Sequence, residues 1–322
     1  MKFLRIVLAF VITLAMLYIA RTNSKGQPEQ FTAVDNGVTF NMISVPKATE
    51  NTTARLTLKV SGLPDSGATV LFCHTEVKDA PPDRYELTDM KLGRSAGDSA
   101  SFYTDVQAKA RGGKLYYYFE VTDSTGRSLA TFRPESGEPF LFKYIGEVPT
   151  YVLLAHLLFI FATVFCVSMV TVHALPLVTG GNNTRPLAVF MFWAAVMCAL
   201  GCYPFGIPMN YYAFNATWEG VPFGHDATDN KTQLLFVYLL FAALTALGSF
   251  TRGRFGRDLL SPRGLGWVGL STFAVMLFIY LIPHSIQFSP GFTYAFCYSW
   301  IGIVVLLYLI AFIRSRRPGG PS

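Results

Sequence analysis

Charge is scarce in this sequence. Of its 322 residues only 14% are Asp, Glu, Lys or Arg, where globular chains carry about 25%. Hydrophobic residues make up 52% and aromatics 15%. That balance excludes a disordered chain and an ordinary cytosolic enzyme, and it points to a membrane protein. Cysteine is sparse as well: Cys73, Cys166, Cys198, Cys202 and Cys297 are the only five. None forms CxxC or CxxCH, so zinc ribbons, thioredoxin motifs and c-type haem attachment have no support. The odd count argues against a full disulfide framework, although Cys202 and Cys297 both fall toward one end of their apolar runs and could pair. Small, soft packing residues are the expected role. GxSxG, Walker A and HExxH are missing, and no GxGxxG precedes a helix. The interiors of the apolar runs hold no Asp, Glu, Lys or Arg and show no internal repeat, which argues against a proton or ion pump.

The charge that is present is unevenly placed. Lys and Arg total 26 against 20 Asp and Glu, a net +6. Between residues 21 and 149 the count is 15 basic to 16 acidic. Apart from Lys231, the rest of the positive charge flanks apolar runs: Lys2 and Arg5, then Arg185, then Arg252, Arg254, Arg257 and Arg263 against Asp258, and finally Arg314, Arg316 and Arg317. No basic groove pattern appears, so membrane orientation explains these clusters and nucleic acid does not.

Six apolar runs lie between them. The first, 6–20, is short and follows a basic start, as in a signal peptide or signal anchor. Tyr18-Ile19-Ala20 lacks the small residue wanted at position minus three of a cleavage site, which favours an anchor. Runs 151–175, 187–204, 234–250, 265–283 and 292–313 are of membrane-crossing length. With Lys2 and Arg5 in the cytoplasm, every strongly basic loop falls on that side. The acidic loop 207–230 and residues 21–149 fall on the other. The expected organisation is a signal anchor or signal peptide (1–22), an extracytoplasmic domain (23–149), a five-helix transmembrane domain (150–314) and a basic cytoplasmic tail (315–322).

Between 30 and 144 the hydrophobic period changes to two. Residues 38–43, 55–60 and 114–121 alternate, and 68–77, 101–106 and 140–144 are further strand candidates. Turn signals separate them, among them Arg111-Gly112-Gly113 and Asp123-Ser124-Thr125-Gly126. About seven short strands in this length suit a two-sheet β-sandwich. Period two sends Tyr117 to the face opposite Tyr116 and Tyr118, so at least one of these rings faces outward.

The run KLYYYFEVTDSTG, 114–126, resembles the late strand and turn of bacterial immunoglobulin-like or fibronectin-III-like domains, and 84–90 followed by 102–106 fits the strands before it. The resemblance covers about a third of the chain. It implies a sandwich fold and no activity. It departs from antibody domains in having one cysteine, Cys73, and no tryptophan. The loop WEGVPFGHDATDNKT, 218–232, resembles loops of uncharacterised bacterial polytopic membrane proteins and implies no chemistry.

Five histidines are candidates for function. His74 lies in a strand and is expected at the surface. His156 falls about 8 Å below the outer end of its helix, at ~1.5 Å per residue. His173 is at the inner end of the same helix, and the 17-residue spacing sets the two about 100° apart around it. His156 with His284 or His225 meets the depth condition for one b-type haem. His173 has no partner for a second. Ionisable residues in membrane segments are functional candidates by default, and a hydrogen-bonded interfacial histidine is the simpler account. Glu219, His225, Asp226 and Asp229 fall within eleven residues and could hold a divalent metal, though their spacing matches no established loop. One of Thr228 and Asp229 is expected to cap the following helix. Trp218, Val221, Pro222 and Phe223 mark the loop as an aromatic interfacial anchor.

The expected function is therefore a binding or scaffolding subunit of an envelope complex in the bacterial inner membrane, with the bilayer and other envelope proteins as partners. The alternatives are a haem b electron-transfer subunit and a metal- or ligand-sensing module.

Overall fold

The computed structural model describes residues 2–24, 29–63, 67–96, 98–282 and 288–316. The chain divides into two compact units. One comprises residues 26–148 with 211–216; the other comprises 1–25, 149–210 and 217–322.

The first unit is made of β-strands. A five-stranded sheet runs β1 (Gln30–Asp35), β2 (Val38–Ile43), β4 (Thr53–Ser61), β8 (Ser99–Gln107), β7 (Lys91–Ala96), with antiparallel neighbours throughout. The second sheet runs β3 (Lys47–Thr49), β11 (Phe140–Ile145), β9 (Lys114–Thr122), β5 (Thr69–Thr75), β6 (Glu86–Asp89), and β10 (Ser128–Phe132) also pairs with β9. Among the described strands only β3 against β11 is parallel. Alternation explains the pairing. In β4, Leu56, Leu58 and Val60 are buried while Arg55, Thr57 and Lys59 are exposed. Phe102 and Val106 do the same in β8, and Val38, Phe40 and Met42 in β2. The inward residues of both sheets form one core. Its middle is aromatic: Phe132 stacks on Phe40 at 5.1 Å and meets Phe140 at 5.2 Å, and Tyr117 stacks on Phe140 at 5.3 Å. Such pairs contribute beyond the area they bury.

The strands at 38–43, 55–60, 68–77, 84–90, 101–106, 114–121 and 140–144 are all present as β2, β4, β5, β6, β8, β9 and β11. Strands β1, β3, β7 and β10 are additional. β1 joins β2 through a two-residue turn, Asn36-Gly37, both at positive φ, the geometry that matches the twist of a tight hairpin.

The second unit is helical: α1 (Lys2–Ser24), α2 (Thr150–Val178), α3 (Arg185–Cys202), the first half of α4 (Gly206–Phe214, whose residues from Tyr211 on belong to the first unit), α5 (Ala227–Thr245), α6 (Leu247–Thr251), α7 (Pro262–Leu281) and α8 (Pro290–Ser315). Among the described residues four helical stretches are long and apolar enough to cross a membrane: α2, α3 read together with α4, α7 and α8. The remaining apolar run, 234–250, is divided. α5 ends at Thr245 and α6 starts at Leu247, and the first two turns of α5 hold Asp229, Asn230, Lys231 and Gln233. The apolar part of α1, Phe3–Ile19, is shorter than a span.

Close approach and intrahelical bonding shape this unit. A Cβ at Gly269 of α7 would lie 2.8 Å from Ala174 Cβ and 2.9 Å from Leu187 Cδ1, so α7 meets α2 and α3 where only glycine fits. Small residues of this kind let helices pack without a hydrophobic drive. Gly264, Gly266 and Gly269 spell GxGxxG, but they sit inside α7 and do not form a loop that could cradle a phosphate. On α1, Ala9, Thr13 and Met16 are buried along one stripe. The Thr13 hydroxyl donates to Ala9 O at 2.7 Å and approaches Ser168 Oγ of α2 at 3.4 Å.

Candidate functional site

The loop before α5 is built on its carboxylates. Asp226 is the N-cap of α5: its Oδ1 accepts from Thr228 N at 2.8 Å and Asp229 N at 3.0 Å. The cap is thus Asp226, not Thr228 or Asp229. The helix begins at Ala227, seven residues before the apolar run at 234, because its first turns are polar. Asp229 Oδ2 accepts from Glu219 N at 2.7 Å, and Asn230 Oδ1 accepts from Val221 N at 2.9 Å. These two bonds fasten the start of the loop to the start of the helix. Burial raises the Asp229 carboxyl to about 6, with Asp226 and Glu219 adding in the same direction against the Glu219 N–H. Lys231 is buried, donates from Nζ to Ile282 O at 2.9 Å, and is lowered by burial to about 8.

Of the four residues singled out for a metal, Asp226 and Asp229 are therefore engaged with backbone N–H groups. Glu219 and His225 are exposed. No group of three or more His, Cys, Asp or Glu is gathered among the described residues. Phe223 at the loop tip is 82% exposed and Val221 behind it is buried. Trp218 Nε1 donates to Val221 O.

The histidines are dispersed. His156 Nδ1 lies 3.0 Å from Gly201 O of α3. With the proton on Nδ1, this bond fixes the ring and leaves Nε2 unprotonated, the orientation a metal-bound imidazole also uses. His225 is in the loop, 6.4 Å from the Tyr294 ring. His284 lies outside the described residues. His173 stacks on Phe190 and contacts Arg5. His74 is half-buried, not exposed: it stacks on Phe72 at 4.8 Å, and burial lowers its pKa. All five cysteines are buried and free. Cys202 Sγ lies 3.6 Å from Cys198 Sγ, one helical turn away.

The outward face of the second β-sheet carries a feature the sequence only outlined. Tyr117 points inward and is fully buried, and Tyr116 and Tyr118 take the other face, as period two requires. There Arg133 lies over the Tyr118 ring at 3.9 Å, and Tyr85 packs edge-on against Tyr118 at 5.0 Å. Cys73 pairs across the strands with Tyr118 and, on its other side, with Leu87, which is 60% exposed. Burial under this cover raises both the Cys73 thiol and the Tyr118 hydroxyl to about 12. The thiol is thereby kept protonated and unreactive at neutral pH. Arg133 and Tyr85 could not be located from spacing, because they come from other parts of the chain. A lone arginine at the end of β10 was the available signal.

Four helices fit for a bilayer and a two-sheet β unit in one chain fit a membrane protein that carries a β domain. No protein family and no curated protein matches the chain. Among solved structures, it aligns with Astrotactin-2, described as a conserved vertebrate-specific and perforin-like membrane protein involved in neuronal development. The alignment covers 82% of this chain and 38% of that one, at 10% identity and a TM-score of 0.25. The chain thus spans less than two thirds of that structure, and a likeness at this score assigns neither fold nor function.

Proposed function

We propose that this chain is a multi-pass protein of the bacterial inner membrane that displays an immunoglobulin-like β unit on the extracytoplasmic side and serves there as a binding or scaffolding subunit of an envelope complex. α1 acts as an uncleaved anchor, the run 234–250 crosses as a fifth span despite its break, and the C-terminus is cytoplasmic. The charge pattern supports this orientation, since every strongly basic loop lies on one side. Exposed Phe223 suits an interfacial anchor on the other.

The observation that carries the binding role is the outward patch of Tyr85, Leu87, Tyr118 and Arg133. Aromatic and arginine side chains are the types enriched where proteins bind proteins. Leu87 is exposed, so Leu87→Arg leaves the core intact while changing the patch. Chemical crosslinking in native membranes should capture a partner with the natural chain, and Leu87→Arg should reduce the yield several-fold. Recovery of the protein alone, or an unchanged yield, would count against this role.

A second proposal, one b-type haem on the extracytoplasmic side, draws on the bond from His156 to Gly201 O, which orients the ring as a haem ligand would need. Its partner would be His225 or His284. A reduced-minus-oxidised visible spectrum of protein from its native membrane tests it. Sharp Soret and α-band changes lost in His156→Ala would establish it, and a featureless spectrum would remove it.

A further inference from the structure

Arg5 has chemistry that the proposed role leaves unused. It is half-buried on α1, and its guanidinium lies 3.4 Å from His173 Nδ1 of α2. Among the described residues it has no carboxylate partner. The helical unit contains four carboxylates in all, Glu219, Asp226, Asp229 and Asp258. Three of them belong to the 219–229 loop. Asp258 accepts from the backbone and hydroxyl of Ser249. A guanidinium withdrawn from water without a counter-charge is costly, so a neutralising group from outside the chain would stabilise it.

The space for such a group is present. Arg5, His173, Asn182 and Asn183 provide the polar wall of a cavity of about 190 Å³, with Pro176 and Leu177 on its apolar side. No carboxylate lines it. The turn that closes it is held by Gly181, whose N–H donates to Pro176 O at 2.8 Å. A Cβ at Gly181 would lie 2.8 Å from that same oxygen, so glycine is what lets the turn fold back over the end of α2. The volume is below the roughly 300–1,000 Å³ of sites for whole drug-sized ligands. It suits a small oxyanion better. Guanidinium and amide donors together match phosphate oxygens, and arginine does so with paired bonds.

We propose that this cavity between α1, α2 and the 181–183 turn binds a phosphate group, with Arg5 as its counter-charge and the headgroup of an anionic phospholipid as its source. Basic pockets between membrane helices on the cytoplasmic side recognise such headgroups. Pro176, exposed on the apolar side, offers the acyl chains a surface beside the site. The proposal rests on α1 being retained and on the basic ends facing the cytoplasm.

The test is native mass spectrometry of the full chain released from bilayers holding equal phosphatidylglycerol and phosphatidylcholine. The natural chain should retain phosphatidylglycerol preferentially. Arg5→Gln should lower that retention about fivefold, the size of one basic contact at a membrane surface, and Arg5→Lys should keep most of it. Asn182→Ala with Asn183→Ala gives the same readout should Arg5→Gln fail to insert. In a parallel arm, inorganic phosphate is added to lipid-poor detergent samples. Arg5-dependent thermal protection there, without lipid retention, would support the phosphate site with a soluble source. Equal lipid retention in all variants, and no protection by phosphate, would overturn the site. The intact mass separates the two levels of failure. A mass short of α1 refutes the anchor and the site together, and a full mass with no Arg5 dependence refutes the site alone.

Discussion

The β unit and the helical unit solve the same problem, satisfying polar groups, in opposite ways. In the β unit, charged side chains pair at the surface: Arg55 with Asp105 across neighbouring strands at 2.8 Å, and Lys109 with Glu76, both just beyond strand ends, at 2.8 Å. Its core is aromatic. In the helical unit, hydroxyls fold back onto their own helix. Thr163, Ser168, Thr171 and Thr272 each donate to the carbonyl four residues earlier. Such bonds need no neighbour and no water, which is what a hydrocarbon solvent demands. The two units therefore differ in the solvent their polar groups are arranged for.

The most forceful way to break this comparison is to damage one unit and watch the other. Phe132→Ala removes the ring shared by Phe40, Phe119 and Phe140 and should cost the β unit about 3–5 kcal/mol. Scanning calorimetry of the full chain in detergent should show the β transition falling while the helical transition stays. Gly269→Val makes the reciprocal case. It forces α7 away from Ala174 and Leu187, for about 1–3 kcal/mol of overpacking, and should lower only the helical transition. A common shift of both transitions in either variant would mean that the units do not melt independently.

Titration sharpens the contrast further. Asp229 is raised to about 6 in the folded loop, from an ordinary carboxylate near 3.8. Folding thus favours its protonated form. The stability it contributes is fully present below about pH 3.8 and is lost as pH rises through about 6. The helical transition should fall modestly between pH 4 and 7. Asp229→Asn, which keeps an oxygen for Glu219 N, should flatten that slope, and a slope left intact would move its origin elsewhere. The smallest effect concerns Tyr117. Its hydroxyl is buried in the aromatic core without a hydrogen-bond partner, so Tyr117→Phe should raise the β transition by about 1 kcal/mol or leave it unchanged. A clear loss would reveal a partner for that hydroxyl.

The periodicity made six strands and four of the membrane helices legible, because burial on one face writes itself as period two and burial in lipid as long apolar runs; the strand at 84–90 came from the resemblance. What escaped has physical causes. β1 is an edge strand, so its alternation of Phe31, Ala33 and Asp35 with exposed residues is weak; its best sign was the Asn36-Gly37 turn. β3 is three residues long, and β7 carries an irregular register between Leu92 and Ser95. Run 234–250 looked continuous because hydropathy does not register a break of one residue at Ala246. For the loop, composition showed that Asp226 and Asp229 were near one another. It could not show that backbone N–H groups had already claimed them. Likewise Tyr118 was legible as facing opposite to Tyr117, but which of the two faces is outward, and the cover of Tyr118 by Tyr85 and Arg133, depend on long-range folding.

The central claim is that these two units occupy two solvents, with the basic loops on one side of the membrane and the β unit on the other. Single cysteines test it most directly: Ser124→Cys in the β9–β10 turn and Arg254→Cys in the basic loop, each in a chain whose own five cysteines are replaced. A membrane-impermeant maleimide applied to cells with a permeabilised outer membrane should label residue 124 and spare residue 254 until the inner membrane is opened. Labelling of residue 254 in sealed cells, or protection of residue 124, would contradict the account.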